Sequence, residues 1–333
     1  MTSVQAAVTE PWEASACVVC GDTAAVPSLA VPHAEAPGGR SAIVRCRSCG
    51  LRRLDPRPAP SHIGRYYAAD HNAFVGRRRG ARTQALWELL RDAGSGWRGS
   101  SRTARLLAPL LAPLARHVFD VVVPLDARTG PRVLEVGCGY GDLLVYLRSR
   151  GCAVLGIDLD ARAAAAGRAL GLDVRVGTLG AAALPAASVD VAVLCHSLEH
   201  VPDPKAELRE LARIVRPGGR LHIAVPNADA ATWRAEGAAW EHVSPPLHFW
   251  FFDAASLTRL LHDAGFQPRR PAAATNALRL ARRFARELRT LGPSLAARRL
   301  LRPWWARLTS GAGGDVLRVV AVRRPPAGSP SGS

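Results

Sequence analysis

Three groups of residues in this 333-residue sequence have types and spacings that can do chemistry. The first is a set of cysteines: Cys17 with Cys20 and Cys46 with Cys49 form two C-x-x-C pairs, followed by Gly21 and Gly50 respectively. Four thiolates complete a tetrahedral set, which is a closed structural zinc site with no open position for water. Such a site serves stability and docking rather than catalysis. The other cysteines, Cys138, Cys152 and Cys195, are scattered among strand-like segments. The odd count of seven, with no secretion signal at the N-terminus, argues for metal rather than a disulfide framework.

The second group is the stretch "VLEVGCGYGDLL", Val133 to Leu144, in which an apolar strand runs into Gly137, Gly139 and Gly141. A dinucleotide loop would place its third glycine one residue later and would meet a pyrophosphate. Here Glu135 precedes the loop and Asp142 follows it, so two carboxylates would face that phosphate. A cationic ligand suits them better. S-adenosylmethionine carries a sulfonium and an amino group and no phosphate, which is what acids beside a glycine loop ask for. Taken alone, the loop is equally readable as a tight strand-to-helix turn. Asp158 stands 19 residues beyond Gly139, the distance at which a Rossmann-type acid reaches ribose hydroxyls. Asp160 competes for that role, but its position suits the N-cap of the next helix.

The third group is polar residues near the end of an apolar run: His196, Glu199 and His200 in "CHSLEHVPDP", with His242 and His248 in "EHVSPPLHFWFF" farther on. A histidine titrates near neutrality and can take a proton from an acceptor hydroxyl.

These residues need a scaffold. From residue 131 onward, strand-like and helix-like segments alternate: "RVLEVG", "AVLGID", "DVRVG", "VDVAVLC", "GRLHIAVPN" and "DVLRVVAVRR", with helical patterns between most of them. Alternation of this kind predicts an α/β fold with a doubly wound, mainly parallel sheet and ligands at the carboxyl ends of its strands. The expected organisation is a small N-terminal zinc ribbon over 1–60, a helical connector over 61–130 and a catalytic domain over 131–325. Residues 326–333, rich in Pro, Gly and Ser, read as a disordered tail.

The ordered set "CVVCGD", "VRCRSCGLRRLDPRP", "VLEVGCGYGDLL", "GIDLD", "CHSLEHVPDP", "LARIVRPGGRLHIAVPN" and "LHFWFFDAASLTRLLHDAGF" resembles the class I S-adenosylmethionine-dependent methyltransferases, in the branch with an N-terminal zinc ribbon. The resemblance implies a Rossmann-like sheet of seven strands whose last strand is antiparallel. It implies S-adenosylmethionine held by Glu135, Gly137, Gly139, Gly141, Asp158, Leu159, Thr178, Leu179 and His196, and structural zinc held by Cys17, Cys20, Cys46 and Cys49. Thr178 departs from the family, which often has an acid there, so a side-chain bond to adenine is not carried over. His200 and His248 are the candidate catalytic bases at the acceptor. The set His196, Glu199 and His200 also resembles ubiquinone-pathway O-methyltransferases, which leaves a second, divalent metal at this place as an alternative.

The expected function is methyl transfer to an O (or C) atom of a small-molecule or lipid-like acceptor. Two alternatives stay open: an RNA-directed methyltransferase, and a non-catalytic subunit of the same fold at a membrane. Nucleic acid is the less favoured partner, because no N-P-P-Y-type motif follows "VAVLC". The formal net charge of +17 is almost entirely arginine, with Lys205 the single lysine. Eleven arginines fall between Arg269 and Arg307 against the one acid Glu287, with Trp304 and Trp305 near the end of the run. This segment reads as a basic amphipathic helical insertion around 272–310, packed on the domain or lying on an anionic membrane surface. The expected location is cytoplasmic, with peripheral membrane contact as the further option. No feature of the sequence addresses oligomeric state.

Overall fold

The computed structural model describes residues 12–31, 33, 36–39, 41–66, 81–95, 102–121, 123, 130–275 and 313–325. The cysteine-bearing unit comes first, with β1 (Trp12–Glu13), β2 (Ala25–Ala30), β3 (Ala42–Cys46), β4 (Arg52–Asp55) and β5 (Arg57–Pro58). Two helices follow, α1 (Ala81–Ser95) and α2 (Arg102–Val118). The alternating part then runs β6 (Arg132–Val136), α3 (Asp142–Ser149), β7 (Ala153–Asp158), α4 (Ala161–Ala169), β8 (Asp173–Val176), β9 (Val189–Cys195), α5 (Pro204–Ile214) and β10 (Val215–Pro226). It closes with α6 (Ala231–Glu236), β11 (Trp250–Phe251), α7 (Ala254–Asp263), β12 (Phe266–Pro268), β13 (Ala272–Ala274) and β14 (Val316–Arg323).

The main sheet has the order β12-β14-β10-β9-β6-β7-β8, with β13 also paired to β14. Strands β8, β7, β6, β9 and β10 pair in parallel, whereas β14 is antiparallel to β10, β12 and β13. Seven positions with one antiparallel strand is the sheet the resemblance implies. The short β12 and β13 share one edge, where the sequence showed no strand pattern of its own. Central strands such as β9, "VDVAVLC", are buried on both faces and so read as continuous apolar runs. Asp160 caps α4 by accepting from the Arg162 amide at 2.9 Å, as its position suggested.

The cysteine unit is not closed on itself. Its sheet has the order β11-β4-β3-β2, so a strand from beyond residue 240 pairs with β4. Arg57 donates to the Pro202 carbonyl at 3.0 Å and its guanidinium lies 5.1 Å from the Phe249 ring and 5.2 Å from the Trp250 ring. Trp250 donates to the Val201 carbonyl at 2.8 Å. The loop "EHVPDP" is therefore held by groups of both units.

Helices α1 and α2 pack through Leu90, Ala115 and Phe119. Asp92 fastens α1 to α3, accepting from the Tyr146 hydroxyl at 2.8 Å and from Arg150 at 2.9 and 3.0 Å. Glu88 adds a further contact to Arg150 at 3.2 Å. One expectation needs correction: residues 272–274, assigned to a helical insertion, form the strand β13. Residues 276–310 of that basic segment and the tail 326–333 lie outside the described residues.

Candidate functional site

A cavity of about 630 Å³ opens at the carboxyl ends of β6, β7 and β9. Its wall includes Glu135, Gly137, Gly139, Asp158, Leu159, Thr178, Leu179 and His196, all but one of the residues expected to hold the cofactor. Gly141 is the exception. Its φ of +81° places it in the left-handed region, and a Cβ there would meet Leu172 Cδ1 at 2.4 Å. It serves the turn and the packing of α3 rather than the cavity. Gly137, with φ of +73°, lies so close to Ser197 that a Cβ would come within 2.6 Å of that side chain. Ser197 donates to the Val136 carbonyl at 2.9 Å, so the loops after β6 and β9 are pressed together.

Asp158 Oδ2 accepts from the Gly139 amide at 2.7 Å and Oδ1 from the Asp160 amide at 2.8 Å. The carboxylate is thereby fixed at the cavity, and its remaining lone pairs can accept two hydroxyls. Burial raises its pKa, against the lowering effect of those two amides. Glu135 is more extreme: it is 5% exposed, its Oε2 has no hydrogen-bond partner, and burial pushes its carboxyl up to about 8. An orphaned acid at a cavity wall fits a cationic ligand, and so do the ribose-ready lone pairs of Asp158. Thr178 accepts from the Ala181 amide at 3.2 Å, holding its own turn.

The histidines cluster at the other end. His196 has φ of +54°, a costly conformation for a residue with a Cβ, held by its amide bond to the Ala224 carbonyl at 2.8 Å. Its Nε2 lies 3.3 Å from Asp120 Oδ2 and its Nδ1 3.4 Å from Glu199 Oε1. Glu199 is fully buried. Burial works to raise its pKa, yet the neighbouring imidazoles, His196 first, bring it down to about 2. His200 lines the cavity, and its Nδ1 donates to the Leu247 carbonyl 3.1 Å away, so that in the neutral ring Nε2 is the unprotonated nitrogen. His248 does not line the cavity: its Nδ1 donates to the His242 carbonyl at 2.8 Å, and its ring meets that of His200 edge-on at 4.5 Å. Burial pulls the His248 pKa down to about 3. His242 stacks on His196 with ring centres 5.7 Å apart.

Among the described residues, two donor sets could hold a metal. The four cysteines bring their sulfurs within 4.8 Å of one another, with Cys17 to Cys49 at 3.3 Å and Cys20 to Cys46 at 3.5 Å. These separations are far beyond the ~2.05 Å of a disulfide. They lie near the ~3.8 Å edge of a tetrahedron with ~2.3 Å zinc–sulfur bonds. Glu199, His200 and His248 form the second set, also within 4.8 Å, and two backbone carbonyls fix the tautomers of its imidazoles. His196, which the sequence grouped with Glu199 and His200, is not one of these donors and lies between Glu199 and Asp120.

Several cavity residues had no signal in the sequence. Asp120 and Phe119 follow α2, Arg91 stands on α1, and Pro60 and Ile63 come from the end of the cysteine unit. Arg318 of β14 approaches Asp120 to 3.6 Å. Each reaches the wall through tertiary packing, which no local spacing reports.

The sequence profile of the family described as "Methyltransferase domain" matches residues 101–270. The chain is 35% identical over 127 residues to a ubiquinone biosynthesis O-methyltransferase of Idiomarina loihiensis, covering 35% of this chain and 51% of that protein. It is 30% identical over 169 residues to the protein of the same name in Thiobacillus denitrificans, covering 46% of this chain and 71% of that one. The chain thus spans about half the length of the first of these relatives. A solved S-adenosylmethionine-dependent methyltransferase from Mesorhizobium loti superposes with a TM-score of 0.43 at 20% identity, over 58% of this chain and 91% of that one. By the profile match and the parallel sheet that carries the glycine loop and its acids, the chain belongs to the class I S-adenosylmethionine-dependent methyltransferases.

Proposed function

We propose that this protein transfers a methyl group from S-adenosylmethionine to an oxygen, or a carbon, of a small-molecule or lipid-like acceptor. The observation that carries the reading is one cavity whose wall joins Glu135 and Asp158, on β6 and β7, to His200 in the loop after β9, with buried Glu199 beside it. The O-methyltransferase names of the relatives support an oxygen acceptor.

When bound, the cofactor supplies an electrophilic methyl on a sulfonium that leaves readily, so the protein's work is positioning and exclusion of water. Asp158 holds the ribose hydroxyls. Apolar residues of the cavity wall, among them Ile63, Val118, Phe119 and Val201, would surround the acceptor. His200 takes the acceptor proton on Nε2, and ionised Glu199 stabilises the imidazolium that forms. His248, neutral and off the wall, holds the His200 ring rather than titrating. The four-cysteine unit binds structural zinc and, through Arg57 and Trp250, fixes the loop that carries His200.

The test is transfer from radiolabelled S-adenosylmethionine to a panel of phenols, catechols, lipids and RNA. Label on a hydroxylated small molecule supports the reading. Label on RNA alone, or on nothing while the cofactor binds, refutes it.

A further inference from the structure

Glu207 has no part in the chemistry assigned to the cavity, yet it lines the same wall as His200. It stands in the first turn of α5, the helix that follows the loop carrying His200. The helix does not need it as a cap. Asp203 already accepts from the Lys205 and Ala206 amides at 3.0 Å each, and Pro204 brings no amide of its own. Glu207 falls instead on the inward stripe of α5, where Pro204, Leu211 and Ile214, at i−3, i+4 and i+7 from it, are buried. An apolar residue is what that position asks for.

Among the described residues no group donates a hydrogen bond to the Glu207 carboxylate and no cation forms an ion pair with it. Glu210, one turn on, shows the contrast, since Arg213 donates to its carboxylate at 2.9 and 2.6 Å. Lys205 and Arg209, two residues to either side of Glu207, fall on the other face of the helix. The charges that act on Glu207 are those of Glu210 and Asp203, and with burial they push its carboxyl up to about 7. The preceding wall residues, Val201 and Pro202, are apolar, and Trp250 and Arg57 engage their carbonyls. A half-buried acid without a donor is costly unless a ligand supplies one. The negative potential of the neighbouring acids favours a cation over a neutral hydroxyl there.

We propose that Glu207 determines acceptor specificity: its carboxylate receives a protonated amine, so the preferred acceptor carries an ammonium group apart from the hydroxyl that loses its proton at His200. The proposal rests on the function proposed above and narrows its acceptor class to amino alcohols and amino-bearing phenols. A nitrogen held as an ammonium has no lone pair to attack the methyl, so the oxygen remains the nucleophile. Removing the acceptor's amine and removing the charge of Glu207 then eliminate the same interaction.

Calorimetry on protein loaded with S-adenosylhomocysteine tests this with three catechols of similar shape: cationic dopamine, neutral ethylcatechol and anionic dihydroxyphenylpropionate. The parent is expected to prefer dopamine over ethylcatechol by at least about tenfold, the strength of a charged hydrogen bond, and to bind the anion least. Glu207→Gln, which keeps the shape of the side chain and removes its charge, is expected to bind dopamine and ethylcatechol within about twofold of each other. Its affinity for S-adenosylhomocysteine is expected to be unchanged, which shows that the cofactor site still stands. If the variant retains the parent's preference, or the parent has none, the subsite is refuted, and methyl transfer to a neutral phenol would leave the functional reading in place. If Glu207→Gln loses S-adenosylhomocysteine as well, Glu207→Asp decides: recovery of the dopamine preference supports the subsite, and no recovery refutes it. A parent that binds S-adenosylhomocysteine but none of the three catechols also refutes the subsite, whereas a parent that does not bind S-adenosylhomocysteine overturns the functional reading itself.

Discussion

Replacing Glu135 by Gln is expected to stabilise the free protein and to weaken its hold on the cofactor, and the size of the first effect follows from the burial of one carboxyl. Glu135 is 5% exposed, and burial raises its pKa from 4.5 to about 8, with Arg91 opposing and Asp142 and Asp158 reinforcing the shift. A carboxyl raised on folding costs nothing below the unfolded value, where both states are protonated. As pH rises above 4.5 the unfolded chain ionises and the folded one does not, so stability falls until about pH 8 and then levels. At pH 7 the difference is roughly 2.5 pK units, or on the order of 3 kcal/mol at about 1.36 kcal/mol per unit. A glutamine side chain has nearly the shape of the protonated acid and no such dependence. Urea unfolding of parent and Glu135→Gln across roughly pH 4 to 8.5 is expected to show near-equal stability at the acid end. The gap in favour of the variant should widen to a few kcal/mol by about pH 8. The same argument makes cofactor binding at neutral pH release a proton, because an ammonium beside Glu135 favours its ionised form; binding enthalpies in buffers of different ionisation enthalpy measure it. Parallel stability profiles for parent and variant would refute the claim that this carboxyl is held neutral by burial.

Purified protein is expected to contain about one zinc per chain by elemental analysis, and Cys46→Ser to lose both the metal and stability; absence of zinc, or a variant as stable as the parent, counts against the site. Because Arg57 and Trp250 hold the Val201–Pro202 loop, chelation is also expected to lower turnover more than cofactor affinity. Asp158→Ala is expected to weaken S-adenosylhomocysteine binding by on the order of 1 to 3 kcal/mol by calorimetry, through lost ribose hydrogen bonds; unchanged affinity would move that contact elsewhere. His200→Gln is expected to lower turnover by on the order of a hundredfold with cofactor affinity nearly intact, as loss of a positioned base does. A variant of full activity would show that no histidine assists deprotonation there.

That the glycine loop and Asp158 would share one wall was legible because these residues are linked in sequence as well as in space. A strand of the pattern "RVLEVG" leads into a turn that must accept positive φ at Gly137 and Gly139, and Asp158 comes one helix and one strand later. Local backbone geometry and the register of parallel β6 against β7 then bring that acid to the Gly139 amide. Gly141 does not line the cavity with the others. It belongs to the glycine rhythm of the loop, but what requires it is Leu172, a residue well beyond the loop whose approach no spacing announces.

The acceptor end depended on contacts that cross between units. Asp120 reaches His196 from 76 residues away, and the helix carrying Arg91 is fixed by Asp92 to Arg150 across 58 residues. The segment "EHVSPPLHFWFF" drew attention for His242 and His248, yet two of its other residues, Trp250 and Phe251, form the strand that completes the cysteine unit's sheet. That pairing gives the cysteine unit a role the C-x-x-C spacing alone could not assign. Its cysteine cluster, its β4 strand, Arg57 and Trp250 form one mechanical path to Val201 and Pro202, next to His200. A structural metal held by those cysteines would act on catalysis through that path, so a variant that breaks it without touching a cysteine should copy the effect of chelation. Arg57→Met removes the bond to the Pro202 carbonyl and the stacking on Phe249 and Trp250 while leaving all four thiolates in place. It is expected to keep its zinc and its cofactor affinity and to lose turnover. Full turnover in that variant, together with loss of turnover on chelation, would mean that the metal supports the site by another route.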